Sequence, residues 1–170
     1  DGAQKMADAF LAYEDTLDIL VNNAGAAWGA PLAEFPENGW DKVMDLNVKS
    51  LFFLTKALAK PLRAAASPER PAKVINIASI DGIFVNPGET YSYGASKAAV
   101  IHLTRRMATK LIKDNINVTA IAPGAFASDM NRAARDQSDE LARRIPSRRI
   151  GTVEDMAGIA IYLASRAGDY

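Results

Sequence analysis

The stretch Tyr91-Ser92-Tyr93-Gly94-Ala95-Ser96-Lys97 sets one lysine four residues after one tyrosine and six after another. On a helix, residues four apart share a face, with Cβ atoms about 5–6 Å apart. Tyr93 meets that condition with Lys97, and Tyr91 falls near the opposite side. A phenol with a pKa of about 10 is a poor base at neutral pH, and a lysine cation beside it favours the phenolate. The pair therefore has the composition of a general acid/base device. A solvated Tyr–Lys surface pair has the same spacing, so the surrounding sequence must decide.

Those surroundings are elements able to position a site. Thr16–Val21 (TLDILV) is a short apolar run ended by Asn22-Asn23-Ala24-Gly25, as expected of a buried strand and its turn. Residues 37–63 carry apolar side chains at helical spacing, and Pro61 is expected to kink or end that helix. Lys73–Ser79 is a second apolar strand, and residues 91–113 form a second long helix. Ile116–Gly124 is a third strand closed by Pro123-Gly124. Ser128 and Ser138 are expected N-caps of two short helices, and Thr152 with Asp155 opens a last helix through a capping box. Apolar strands alternating with helices predict an α/β fold, a parallel sheet covered on both faces. Ligands of such sheets bind at the carboxyl ends of the strands. There the sequence puts Asn22–Gly25, Ser79 and the segment Pro123–Ser128.

Composition narrows the function classes. The 170 residues are 49% apolar, enough for one domain with a real core. Twenty basic residues balance twenty acidic ones, which gives no general attraction to nucleic acid or an anionic membrane. There is no cysteine, hence no thiolate chemistry, and the chain suits a reducing cytoplasm. No apolar run approaches the roughly 18 residues that span a bilayer. Asp45 and Asp81 form no metal set with other residues, and none is expected. His102 lies half a helical turn out of phase with Tyr93 and is expected to face away from any site. The basic run Arg143–Arg149 reads as a lid and linker.

Taken in order, Asn22–Gly25, the Leu46-Asn47-Val48 triplet, Ser79 after VINIA, Tyr93–Lys97 and Ala122–Gly124 resemble the motifs of the short-chain dehydrogenase/reductase family over nearly the whole chain. The resemblance implies a Rossmann-like doubly wound parallel sheet and an oxidoreductase that transfers a hydride between NADP or NAD and a ketone or secondary alcohol. It makes Tyr93 the acid/base, Lys97 its partner, Ser79 the carbonyl-positioning hydroxyl and Asn47 the fourth member. It puts Asn22, Ala24, Gly25, Tyr93, Lys97, Pro123, Gly124, Phe126 and Ser128 at the cofactor. Ser79, Asp81, Tyr93 and Met130 are set at a small-molecule substrate. Ser128 stands where threonine is usual. Among subgroups the chain looks most like β-ketoacyl-(acyl-carrier-protein) reductases. A catalytically inactive binding or regulatory protein of the same shape is the alternative.

The family's Gly-rich phosphate turn and its last strand have no counterpart in these residues, so the chain reads as the central and catalytic part of one domain. Residues 128–149 are expected to be a substrate lid. Helices 37–63 and 91–113 are expected to build a homotetramer or homodimer, with no nucleic-acid or membrane partner.

Overall fold

The computed structural model describes residues 2–128 and 130–170. Helix α1 (Gly2–Leu11) leads to strand β1 (Ile19–Asn22), then to α2 (Glu37–Met44), α3 (Ser50–Ala57) and α4 (Ala59–Ala65). Strand β2 (Ala72–Ile77) precedes the long helix α5 (Tyr91–Leu111) and strand β3 (Ile116–Ile121). Short helices α6 (Arg132–Asp136) and α7 (Ser138–Arg144) and the final α8 (Val153–Ala164) follow. The three strands form one parallel sheet in the order β1-β2-β3, with Asn22 opposite Asn76 and Asn76 opposite Ala120. This is the expected Rossmann-like arrangement.

Side chains alternate across a strand, so burial at both parities of β2 means cover on both faces. One parity turns toward α5, where Val74 joins Leu51, Leu58, Leu62, Val100 and Ile116 in the apolar core. The other parity includes Lys73, buried and ion-paired with Asp169 in the segment that follows α8. Asn117, opposite Lys73 in the sheet, donates to the Asp169 carbonyl at 3.1 Å, so the C-terminal segment bridges the two strands. Among the described residues no helix is long and apolar enough to cross a membrane.

The helix expected over 37–63 is three pieces. Between α2 and α3 the chain widens into a π-helical turn at Asp45–Lys49 that carries Asn47. The break before α4 falls at Leu58 (φ −91°, ψ 6°), three residues ahead of Pro61. Pro61 then occupies the first turn of α4, where a missing N–H costs nothing, so the interruption precedes the proline. Two expected caps are also corrected. Asn131, not Ser128, opens α6, its Oδ1 accepting the Ala134 N–H at 3.1 Å. Ser128 instead accepts the Asn131 N–H one turn earlier, and Ser138 is the first residue of α7 rather than its cap. The Thr152–Asp155 capping box is present.

Candidate active site

Buried polar side chains fix the carboxyl end of the sheet. Asn22 donates to Asn76 Oδ1 (2.8 Å) and to Thr55 Oγ1 (3.1 Å), tying β1 to β2 and α3. Asn76 passes the chain on to Thr104 of α5 at 2.9 Å. All four are buried, and an unpaired polar group there would cost about 1–3 kcal/mol. The Asn22 side chain is thus spent inside the fold. It anchors the Asn22–Gly25 loop instead of offering that loop's ligand a side-chain donor.

Ser79 follows β2 and caps a 3₁₀ turn over Ile80–Gly82, its Oγ accepting the Asp81 N–H at 3.2 Å. Ala78 N–H bonds the Ile121 carbonyl and Ile80 N–H the Pro123 carbonyl, which locks this turn to the Pro123-Gly124 loop. Across from it stand the first turns of α5. The Ser79 hydroxyl stands close enough to the Tyr93 phenol to favour its ionised form. Lys97 Nζ lies 5.6 Å from the centre of the Tyr93 ring and donates to the Ile77 carbonyl at 2.7 Å. Burial lowers the Lys97 ammonium to about 8. Burial raises the Tyr93 phenol above its ordinary value, the nearby Ser79 hydroxyl lowers it, and the Asp81 charge raises it again, for a net upward shift. The sequence reading expects a lysine cation together with an oxidised nicotinamide to lower the phenol; the upward shift here arises from the protein's own residues alone.

Asn47, 2% exposed, projects from the π-helical turn. Its amide pairs in both senses with the Ala26 backbone (2.8 and 2.9 Å) and donates to Ser96 Oγ at 2.9 Å. Ser96 in turn donates to the Tyr93 carbonyl at 2.7 Å. One buried chain therefore runs from the β1 loop through Asn47 and Ser96 to the Tyr93 backbone. Gly25 sits within it, and a Cβ there would lie 3.4 Å from Asn47 Oδ1 and 3.6 Å from Lys97 Nζ.

The remaining expected residues border this centre less tightly. Ala24 and Gly124 are exposed at the ends of β1 and β3, and Pro123 is partly buried. Phe126 packs its ring against Gly151 and joins it in an isolated parallel bridge. Ser128 and Met130 are exposed on the segment leading into α6. Tyr91 turns out of the centre, edge-to-face with Phe35 at 5.6 Å. It lines an apolar groove with Leu32, Pro36 and Trp40. His102 is exposed on α5. Sequence reasoning missed Ser96, Asn76 and Gly82. Only the last had a signal, a glycine three residues beyond the candidate serine.

The chain can be compared with known proteins on this basis. Residues 1–170 match the family model described as enoyl-(acyl carrier protein) reductase. The chain is 46% identical to the rhamnolipids biosynthesis 3-oxoacyl-[acyl-carrier-protein] reductase of Pseudomonas aeruginosa, over 99% of this chain and 67% of that protein. It is 43% identical to the 2-dehydro-3-deoxy-D-gluconate 5-dehydrogenase of Escherichia coli, over 100% of this chain and 67% of that one. Among solved structures, the Pseudomonas aeruginosa RhlG/NADP active-site complex superposes with a TM-score of 0.94 at 46% identity, covering 99% of this chain and 67% of that chain. A gluconate 5-dehydrogenase from Burkholderia cenocepacia, in complex with NADP and tartrate, follows with a TM-score of 0.88 at 35% identity, covering 98% and 65%. The chain spans about two thirds of the length of these relatives.

Proposed function

The chain belongs to the short-chain dehydrogenase/reductase family, and from that membership we propose that the full-length protein is an NAD(P)(H)-dependent oxidoreductase acting on a ketone or secondary alcohol. The observation that carries this reading is the convergence of Ser79, Tyr93 and Lys97 at one edge of the sheet, with Asn47 bonded into the same framework. The 3-oxoacyl thioester is the substrate class we favour, from the likeness to 3-oxoacyl reductases. A second reading, oxidation of a sugar-acid alcohol, draws on the relatives named gluconate dehydrogenases.

The residues present fit the nicotinamide half of such a cofactor. Gly25 keeps side-chain bulk out of the space beside Lys97 Nζ and Asn47, and a Cβ on Gly124 would meet only Ile80 Cδ1, at 3.9 Å. Gly25, Ala24, Lys97, Pro123, Gly124, Phe126 and Ser128 would hold the group, with NADP preferred over NAD because solved relatives are NADP complexes. When bound, it supplies or accepts the hydride at the substrate carbon. Tyr93 gives its hydroxyl proton to the substrate oxygen in reduction and takes it back in oxidation. Ser79 donates to that same oxygen and fixes it against Tyr93. Lys97, anchored on the Ile77 carbonyl, contributes positive charge beside the phenol and so opposes its upward shift. Asp81 and Met130 would border the substrate.

Residues 128–149 form the lid in this reading. Their apolar anchors are few, and such segments open easily. Outside the site, Phe52, Ala59, Leu103, Met107 and Leu111 line an apolar groove between α3 and α5, rimmed by Lys56, Arg63, Arg106 and Lys110. We assign this face to a homodimer or homotetramer contact, and the enzyme to the cytoplasm, in keeping with the absence of cysteine from these 170 residues. The test is turnover of the full-length protein with NADPH and a 3-oxoacyl thioester, or with NADP and a sugar acid. Activity in the first arm alone supports the favoured substrate, and activity in neither contradicts the oxidoreductase reading.

A further inference from the structure

Ser96 lies between Tyr93 and Lys97 in the first turns of α5 and is fully buried. Its hydroxyl works in both senses. It accepts from Asn47 Nδ2 at 2.9 Å and donates to the Tyr93 carbonyl at 2.7 Å. The i→i−4 pattern of an α-helix gives that same carbonyl to the Lys97 N–H, so Ser96 is a second donor at the backbone bond that spans Tyr93 to Lys97. A serine bonded back onto its own helix influences the bend of the turn it spans. This turn carries both side chains.

The far end of the same chain is fixed without Ser96. Asn47 stands on the π-helical turn and pairs in both senses with the Ala26 backbone. Loss of the Ser96 hydroxyl would therefore leave Asn47 joined to the β1 loop and release only the α5 end. Lys97 has its own anchor, Nζ on the Ile77 carbonyl at 2.7 Å. Helix α5 also holds a control. Ser92 lies four residues before Ser96, hence on the same helical face, and is equally buried. Among the described residues its Oγ has no hydrogen-bond partner. Burial of a serine on this face thus does not demand a bond, and the link from Asn47 to Tyr93 is particular to Ser96.

We propose that Ser96 is a positioning residue that holds the Tyr93 turn of α5 against Asn47 and so keeps Tyr93 aligned with Ser79 for proton transfer. Its hydroxyl is spent on Asn47 and on the Tyr93 carbonyl, so it acts through the Tyr93 backbone and not on substrate. Alignment is worth this much structure, because a misplacement of about 1 Å can cost about 100-fold in rate. The proposal rests on the acid/base role of Tyr93.

The test is kcat and NADPH affinity for Ser96→Ala, Ser92→Ala and Tyr93→Phe in the full-length protein, with a 3-oxoacyl thioester, or with NADP and a sugar acid if the parent turns over only the latter. Ser96→Ala should lower kcat about 10-fold, the worth of one hydrogen bond felt in the transition state, with dinucleotide affinity unchanged. In the Asn47→Ala background the same substitution should cost little more, because the two side chains act as one link. Ser92→Ala should keep the parent kcat and be no less stable, having lost only an unpaired hydroxyl. If the alanine variant at Ser96 folds poorly, Ser96→Cys, close in size but a weaker donor, should show the same split in smaller measure. Parent kcat in the Ser96 variants while Tyr93→Phe loses turnover would overturn this inference alone. Equal losses from Ser92→Ala, or a loss of dinucleotide affinity matching that of kcat, would reduce Ser96 to packing and overturn it as well. Turnover retained by Tyr93→Phe would overturn it together with the acid/base reading.

Discussion

Gly82 lies so close to Lys97 that one added methyl group would overlap the helix backbone, 2.5 Å from the lysine's carbonyl carbon and 2.7 Å from its oxygen. The Ser79 turn and helix α5 therefore meet backbone to backbone, and the relative placement of Ser79, Tyr93 and Lys97 depends on that contact. Gly82→Ala must push turn and helix apart. Overpacking of this kind costs about 1–3 kcal/mol, and turnover should fall while dinucleotide affinity changes less. Denaturant unfolding alongside steady-state kinetics checks both halves.

Asn47 closes three hydrogen bonds that no other residue type of its size can reproduce together. Asn47→Ala leaves the Ala26 N–H and carbonyl without that partner, at about 1–3 kcal/mol per buried group left unsatisfied. The Asn22–Gly25 loop should loosen at its far end. The variant should lose stability and bind NADPH more weakly, by fluorescence titration of the full-length protein. Asn47→Asp keeps the acceptor and should recover only part of the loss.

Lys97 is an energetic burden that the site retains. Its folded value of about 8 lies below the ordinary 10.5, so the unfolded chain holds its proton more tightly. A base lowered on folding destabilises the fold fully below pH 8, and stability recovers as pH rises from 8 toward 10.5. Lys97→Met should therefore be more stable at neutral pH, by roughly 1 kcal/mol once the lost Ile77 bond is counted. That advantage should shrink across the same window. Turnover should nearly vanish, and thermal melts from pH 7 to 10 would show whether the sign holds.

Phe126 stacks on Gly151, where a Cβ would come within 2.3 Å of the ring, and Arg149 holds Asp155 through both carboxylate oxygens. These contacts fasten the two ends of residues 128–149 to the body. Hydrogen exchange should find this segment the least protected of the helical regions, and cofactor with substrate should slow it. Gly151→Val should raise its exchange further. Strong protection without ligand would rule the lid out.

Much of this site could be read along the chain because its chemistry sits at strand ends, where apolar runs give way to unusual residues. Ser79 and the Asn22–Gly25 loop follow from that rule, and Tyr93 with Lys97 from their four-residue spacing at the start of α5. The connecting groups do not. Ser96 looks like any helix serine, and Asn76 like an oddity in a strand, until Asn47 and Thr104 are brought beside them. The π-helical turn at Asn47 has no local signature, since its weaker helix formers Asp45, Asn47 and Val48 occur in regular α-helices as well. The break at Leu58 shows that a proline marks a boundary only to within a turn, because it can serve in the first turn of the helix that follows. Asn131 displaced Ser128 as a cap because both can accept the needed bond and only the chain path chooses between them.

In the proposed chemistry Tyr93, and not Tyr91, exchanges the proton. Tyr93 faces Ser79 and Lys97, whereas Tyr91 packs on Phe35 with its hydroxyl toward Glu89. The most direct measurement is kcat for Tyr93→Phe and Tyr91→Phe side by side, in the full-length protein with NADPH and a 3-oxoacyl thioester. Tyr93→Phe should lose about 10²–10⁴-fold, the usual contribution of a positioned acid or base, with the dinucleotide still bound. Tyr91→Phe should stay within a few-fold of the parent. Equal losses from the two substitutions, or a Tyr93→Phe variant that keeps most of its turnover, would contradict the account.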